Sequence, residues 1–222
     1  MVEIANETCR GRGRPQIRSD EATLELIVQA ANEEFLAKSY AETSMSAVAQ
    51  RAGVSTKTLY RLAPSKADLF KSVVSQRIET FMLALDQQSA GAPDLQSALE
   101  QILIAFGQLT LSKETTAIFR LVLGECERFP EIGHAFYEGA IKRAGGALAR
   151  WLGEQCRKGL LDLDDPDRAG GMLRGMMIME PQRAAMLGQR EAPAATEIEE
   201  RARMCAALFL NGCMRTRRRD PA

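Results

Sequence analysis

From Leu24 to Phe209, apolar side chains recur at three- and four-residue intervals, and no sustained apolar/polar alternation breaks the pattern. That spacing lines one face of an α-helix and cannot line one face of a strand. No hairpin dipeptide lies between apolar runs, so the chain reads as all-α. The stripes are Leu24, Ile27, Val28, Ala31 and Phe35; Leu95, Leu99, Ile102, Phe106 and Leu109; Ile118, Leu121, Val122 and Cys126; Phe136, Ile141, Leu148 and Leu152; and Ile198, Ala202, Cys205, Leu208, Phe209 and Gly212. Apolar residues make up 45% of the 222, enough for a real core, and no internal repeat stands out.

Capping residues and breakers cut these stripes into helices. Ser19 or Asp20 starts the first, with Asp20 and Glu21 in the turn where the helix dipole favours anions. A short helix fits 46–52, capped by Ser44 or Ser46 and ended at Gly53. Ser55 caps a third over 56–62, which Pro64 closes, and a fourth starts after Ser65 and is expected to reach Leu85. The segment 89–93 is the best linker. Beyond it the spacing predicts longer helices, one opening at Pro130 and reaching about Lys158, and two more over about 167–187 and 195–214. The expected architecture is all-α, a three- or four-helix head followed by a larger helical bundle. Its segments are a basic arm (1–18), a head (19–80) with its helix-turn-helix at about 44–63, the bundle (90–214) and a basic tail (215–222).

The formal net charge is zero, with 29 basic and 29 acidic side chains, but the charge is unevenly spread. Residues 10–18 hold four arginines and no acid; residues 19–37 hold five acids and no base. Residues 38–71 hold six bases against two acids, and 72–214 hold 15 bases against 19 acids. Four of the last eight residues are arginines. Basic charge gathered in short blocks suggests an anionic partner.

The second of those blocks coincides with helix-turn-helix grammar: a short helix, a turn at Gly53-Val54-Ser55, and a second short helix. In that motif the second helix enters the major groove with its N-terminal residues at base edges. Thr56, Lys57, Thr58, Tyr60 and Arg61 are expected to face DNA, together with the caps Ser44 and Ser55, while Val54 and Leu59 pack inward. Lys66, at the start of the fourth helix, is expected to clamp a phosphate. Upstream, Gly11-Arg12-Gly13-Arg14-Pro15 fits a narrow minor groove as an extended cationic arm, with Arg12 and Arg14 as its contacts.

Ala49 to Leu69 resembles the characteristic run of the TetR family of bacterial transcriptional repressors, approximately A-x-x-A-G-V-S-x-G-T-L-Y-x-x-F-x-S-K-x-x-L, and the likeness extends over about 20–80. Three departures stand out. Lys57 replaces a glycine, Leu62-Ala63 replaces an aromatic pair, and Ser39 stands where a glycine ends the first helix. Phe119 to Val122, Glu127 to Glu131 and Ala135 to Tyr137 are similar to the AefR-type C-terminal domain within that family. The resemblance implies a homodimer joined by the last two long helices, an effector cavity among the helices before them, and a repressor released from a near-palindromic double-stranded operator by a small apolar effector. Phe106, Phe119, Cys126, Phe136, Tyr137, Met172 and Met176 are the expected pocket residues; methionine suits an adaptable wall.

Other classes fit less well. One histidine (His134), no G-x-S-x-G and no metal-spaced Cys/His set argue against an enzyme, and no metal or cofactor is implied. The longest uncharged stretch is twelve residues, 101–112, too short for a span of about 20, and the first thirty residues lack a signal-peptide core; a cytoplasmic protein is expected. The five cysteines (9, 126, 156, 205 and 213) form no C-x-x-C pair and are expected to be reduced, with a redox-sensing regulator as the alternative. Cys205 and Cys213 are separated by a rise of roughly 12 Å on one helix, too far to bond within it, which leaves a bridge across a dimer seam open.

Overall fold

A hydroxyl or carboxylate cap starts seven of the helices among the described residues. Ser19, Ser44, Ser55 and Ser65 accept the backbone N–H of Ala22, Ala47, Thr58 and Asp68 at 3.1, 3.2, 3.1 and 3.1 Å. Asp94 and Ser112 do the same for Ser97 and Thr115. Such caps, each worth about 1 kcal/mol, set the boundaries in a computed structural model that describes residues 18–213, the side chains of 84–91 and 213 excepted. Among the described residues there is no strand. The helices are α1 (Asp20–Glu42), α2 (Met45–Arg51), α3 (Thr56–Leu62), α4 (Lys66–Gly91), α5 (Leu95–Thr110), α6 (Lys113–Glu125), α7 (Pro130–Phe136), α8 (Arg143–Arg157), α9 (Pro166–Met186) and α10 (Ala195–Cys213).

Two cores share α4. Its first half gives Leu69, Phe70, Val73 and Val74 to the core of the head, where α1, α2 and α3 pack with Ile118 and Val122 of α6 and Ile132 and Phe136 of α7. Its second half gives Ile78 and Phe81 to the larger core built from α5, α8, α9 and α10. The N-terminal head and the C-terminal helical domain are thus joined by one continuous helix, with α6 and α7 laid against the head.

Three boundaries differ from the sequence expectation, whereas the helix expected over about 167–187 is found at Pro166–Met186. α1 passes Ser39 with a break rather than an end: Ser39 sits at φ 79°, ψ 166°, and a further helical turn follows. α4 runs through Ser89 to Gly91, so the expected linker shrinks to Ala92–Asp94. The helix expected from Pro130 is interrupted by a π-helical stretch, Tyr137–Lys142, between α7 and α8. α9 continues through Pro181, whose missing N–H leaves the carbonyl of Met177 without its helical partner. Arg201 of α10 supplies the donor, its Nε lying 2.8 Å from that oxygen and its Nη2 3.0 Å from the Met176 oxygen. The defect in one helix thereby becomes a fastening for the next.

Candidate nucleic-acid interface and effector cavity

The turn between α2 and α3 works because Gly53 takes φ 66°, a conformation that costs a residue with a Cβ. It lets the N–H of Val54 reach the Ala49 carbonyl at 3.0 Å and aims α3 across α2. Leu59 is fully buried beneath α3 and anchors it. Opposite Leu59, Thr56, Lys57, Tyr60 and Arg61 are exposed, beside the exposed caps Ser44 and Ser55. Thr58 is half-buried, and its hydroxyl shares a 2.8 Å hydrogen bond with Ser55. Lys57 has no hydrogen bond or ion pair among the described residues, whereas Arg61 makes a two-pronged pair with Asp20 at the start of α1, 2.6 and 2.7 Å. α2 is tied to α1 by Arg51, whose Nε lies 2.7 Å from buried Glu34; Lys38 lies 3.0 Å from the same carboxylate. Hydrogen bonds from Lys38, then Arg51, hold the Glu34 carboxyl below its usual range.

Lys66 is not arranged as a phosphate clamp. Its ammonium donates to the carbonyls of Tyr40, Ala41 and Thr43 at 2.8, 3.3 and 3.0 Å and lies 4.6 Å from the centre of the Tyr40 ring. These are carbonyls left open where α1 ends, and an ammonium has only three donors to give. Burial pushes its pKa down, with Glu125 and Glu131 opposing. On the same turn Glu125, the last residue of α6, receives the N–H groups of Tyr40 and Ala41, which the break at Ser39 has freed. The Tyr40 hydroxyl reaches Glu131, and burial pushes its pKa up. Sequence reasoning missed Glu125 and Glu131 because their partners lie more than eighty residues away.

Between α4, α5, α6 and α9 lies a partly enclosed cavity of about 270 Å³. Its wall is mostly apolar: Val74 and Ile78 of α4, Phe106 and Leu109 of α5, Ile118 and Phe119 of α6, Phe136 of α7 and Ile178 of α9. Phe119 and Phe136 stack at 5.3 Å with planes 9° apart. Three of the seven expected pocket residues, Phe106, Phe119 and Phe136, therefore line it; Cys126, Tyr137, Met172 and Met176 do not. Cys126 lies at the far end of α6, and Tyr137, Met172 and Met176 are exposed to solvent. Of the α9 methionines, Met179 reaches the rim and Met177 is core. The polar lining, Arg77, Thr110, Thr115, Arg174 and Gln182, was not expected. Both arginines carry a sequence signal, since each falls at three- and four-residue spacing from buried positions: Val73, Val74 and Phe81 around Arg77, and Gly170 and Met177 around Arg174.

α6 connects the cavity, the end of α9 and the head. Thr115, Ile118 and Phe119 line the cavity; Arg120 donates to the carbonyls of Ala185 and Met186 at the end of α9, 2.8 and 3.2 Å; Glu125 holds the turn of α1 that leads into Ser44. Met172, Met176 and Met179 on α9 and Met204 and Leu208 on α10 form exposed apolar positions on the last two helices. Cys205 is buried, which pushes its thiol up and away from reactivity; Cys126 and Cys156 are half-buried, and His134 is exposed. Arg12, Arg14, the basic tail, Cys9 and the Cys213 side chain lie outside the described residues. No grouping of His, Cys, Asp or Glu able to hold a metal occurs among the described residues, and none of their helices is long and apolar enough to cross a membrane.

Residues 27–73 match the model for bacterial regulatory proteins of the tetR family, and residues 97–212 match the model for the AefR-like transcriptional repressor, C-terminal domain. Among solved structures, a TetR-family transcriptional regulator from Mesorhizobium loti is 26% identical with a TM-score of 0.77, covering 89% of this chain and all of its own. The flavonoid-responsive regulator FrrA is 28% identical with a TM-score of 0.70, covering 87% of this chain and 98% of its own. A search of curated proteins found no match.

Proposed function

The chain belongs to the TetR family of bacterial transcriptional regulators, with an AefR-like C-terminal domain, and on that premise we propose that it is a homodimeric repressor released from its operator by a small, mainly apolar effector. One observation carries the reading: α6 lines the 270 Å³ cavity at one end and grips, through Glu125, the turn of α1 that feeds the helix-turn-helix at the other. A ligand pressing on Phe119 moves the same rigid helix that fixes where α2 begins.

Thr56, Lys57, Tyr60 and Arg61 form the groove-facing surface, with Ser44, Ser55 and Thr58 beside them and Arg12 and Arg14 reaching the minor groove. Arg61 exchanges Asp20 for a phosphate on docking. The exposed methionines and Leu208 of α9 and α10 pair with their mates in a four-helix seam, which holds two heads about one helical turn of DNA apart. Residues 1–18, 19–80, 90–214 and 215–222 then serve as arm, head, effector and dimer domain, and tail. Release requires little energy: a hundredfold loss of affinity is about 2.7 kcal/mol of coupling. Similarity to a regulator named flavonoid-responsive supports effector control. Such a protein works in the cytoplasm and performs no catalysis.

The test is capture of genomic fragments by the purified protein, followed by gel shifts on the enriched site and light scattering for mass. A near-palindromic site bound by a dimer is expected. A monomer, or fragments without a shared site, would sink the reading.

A further inference from the structure

Resting on the reading of this cavity as the effector site, we infer that its ligand is an organic anion: a carboxylate on an apolar body, received by Arg77 and Arg174. The lining residues include two arginines and no carboxylate, and both arginines are half-buried. A charge drawn from water is costly unless paired, so a chain that retains two beside an apolar chamber has a use for them. Neither arginine has a salt bridge among the described residues. Arg174 has no hydrogen bond either, and Arg77 has one, from Nη1 to the Thr115 hydroxyl at 3.3 Å.

The position of each head is set by its neighbours. Arg77 also borders the cleft between α1 and α4. Its bond to Thr115, itself a lining residue of the cavity, fixes its Nη1 beside the cavity wall. Burial pushes its pKa down, and the charge of Glu114 offsets part of that without forming an ion pair. Arg174 lies over Gly145 of α8, where a Cβ would overlap its guanidinium, and Gly171 and Gly175 on either side leave the chamber room. A guanidinium offers a planar fork of donors that matches a carboxylate in two-pronged fashion. The remaining wall, Ile78, Phe106, Ile118 and Phe119 among it, suits a body without polar groups. A cavity of about 150 Å³ holds one benzene ring, so 270 Å³ accommodates a bicyclic ring system or a medium acyl chain.

The experiment is calorimetric titration of the full chain with charge-matched pairs, 2-naphthoate against 2-naphthamide and decanoate against 1-decanol. Each carboxylate is expected to bind at least about tenfold more tightly than its neutral twin. Arg77→Met and Arg174→Met are expected to abolish that preference, Arg77→Lys to restore part of it, and both methionine variants to melt no lower than the parent. Equal or tighter binding of the neutral twins, no binding of either carboxylate up to about 1 mM, or a preference that survives both methionine substitutions overturns the inference. Gel shifts on captured fragments separate it from the regulatory reading. Operator binding without anion preference removes only this inference; anion preference without any DNA binding removes only the repressor.

Discussion

Glu125 accepts the backbone N–H of Tyr40 at 2.9 Å with one carboxylate oxygen and that of Ala41 at 2.8 Å with the other. It caps, from a different helix, the turn that restarts α1 after Ser39. Glu125→Ala leaves two donors without acceptors and is expected to lower stability by about 1–3 kcal/mol. It should also weaken effector-driven release while leaving effector affinity unchanged. Urea unfolding and gel shifts with and without effector measure the two effects; unaltered release would remove α6 as the link.

Ser39 occupies φ 79°, ψ 166°, a region open in practice to glycine alone. Its hydroxyl makes only a long 3.4 Å contact with the Glu42 N–H. Ser39→Gly is therefore expected to stabilise the fold by about 0.5–1 kcal/mol despite the added freedom of the unfolded chain, read as a raised urea midpoint.

Arg201 compensates for Pro181 by donating to the Met177 carbonyl. Arg201→Ala is expected to cost about 1–3 kcal/mol. Adding Pro181→Ala returns an N–H to that carbonyl and should recover part of the loss. Additive losses in a double-mutant cycle would contradict the pairing.

Glu34 titrates below the ordinary glutamate value of about 4.3 because Lys38 and Arg51 bond its ionised form. A carboxylate with a depressed folded pKa binds fewer protons folded than unfolded, so its contribution is complete above the unfolded value. It is lost as pH falls through the lower folded value. Unfolding between pH 6 and pH 3 (roughly the span of ordinary carboxylate titration) should show a shallower acid decline in Glu34→Gln than in the parent.

Lys57 and Tyr60 stand exposed on α3, while Lys66 is committed to carbonyls of the protein. Lys57→Ala is expected to weaken operator binding and reduce the salt slope by about 1, and Tyr60→Phe to weaken it without altering the slope. Lys66→Ala should lower stability and leave the slope unchanged. A slope reduced by Lys66→Ala would return that residue to the phosphate backbone.

How far the sequence reached depended on the range of each interaction. The caps Ser19, Ser44, Ser55 and Ser65 bond an N–H three residues ahead, so their helices were legible within a short window. The buried Leu59 and exposed Tyr60 of α3 followed from spacing alone. Phe106, Phe119 and Phe136 were found as aromatics and proved to share a wall. Met172 and Met176 were misassigned because composition names a residue type and not the direction of a helix face.

The sequence by itself determined the all-helical class, the starts of the head's helices, the helix-turn-helix and the family, because each is written in contacts a few residues apart. Tertiary structure decided which charges remain available. Lys66 was withdrawn by carbonyls more than twenty residues away, Arg61 met Asp20 across the head, and Arg77 and Arg174 came to face one chamber. Whether a charged side chain serves the fold or a partner depends on which acceptors the packed helices bring within hydrogen-bond distance, and that is settled only when distant segments meet.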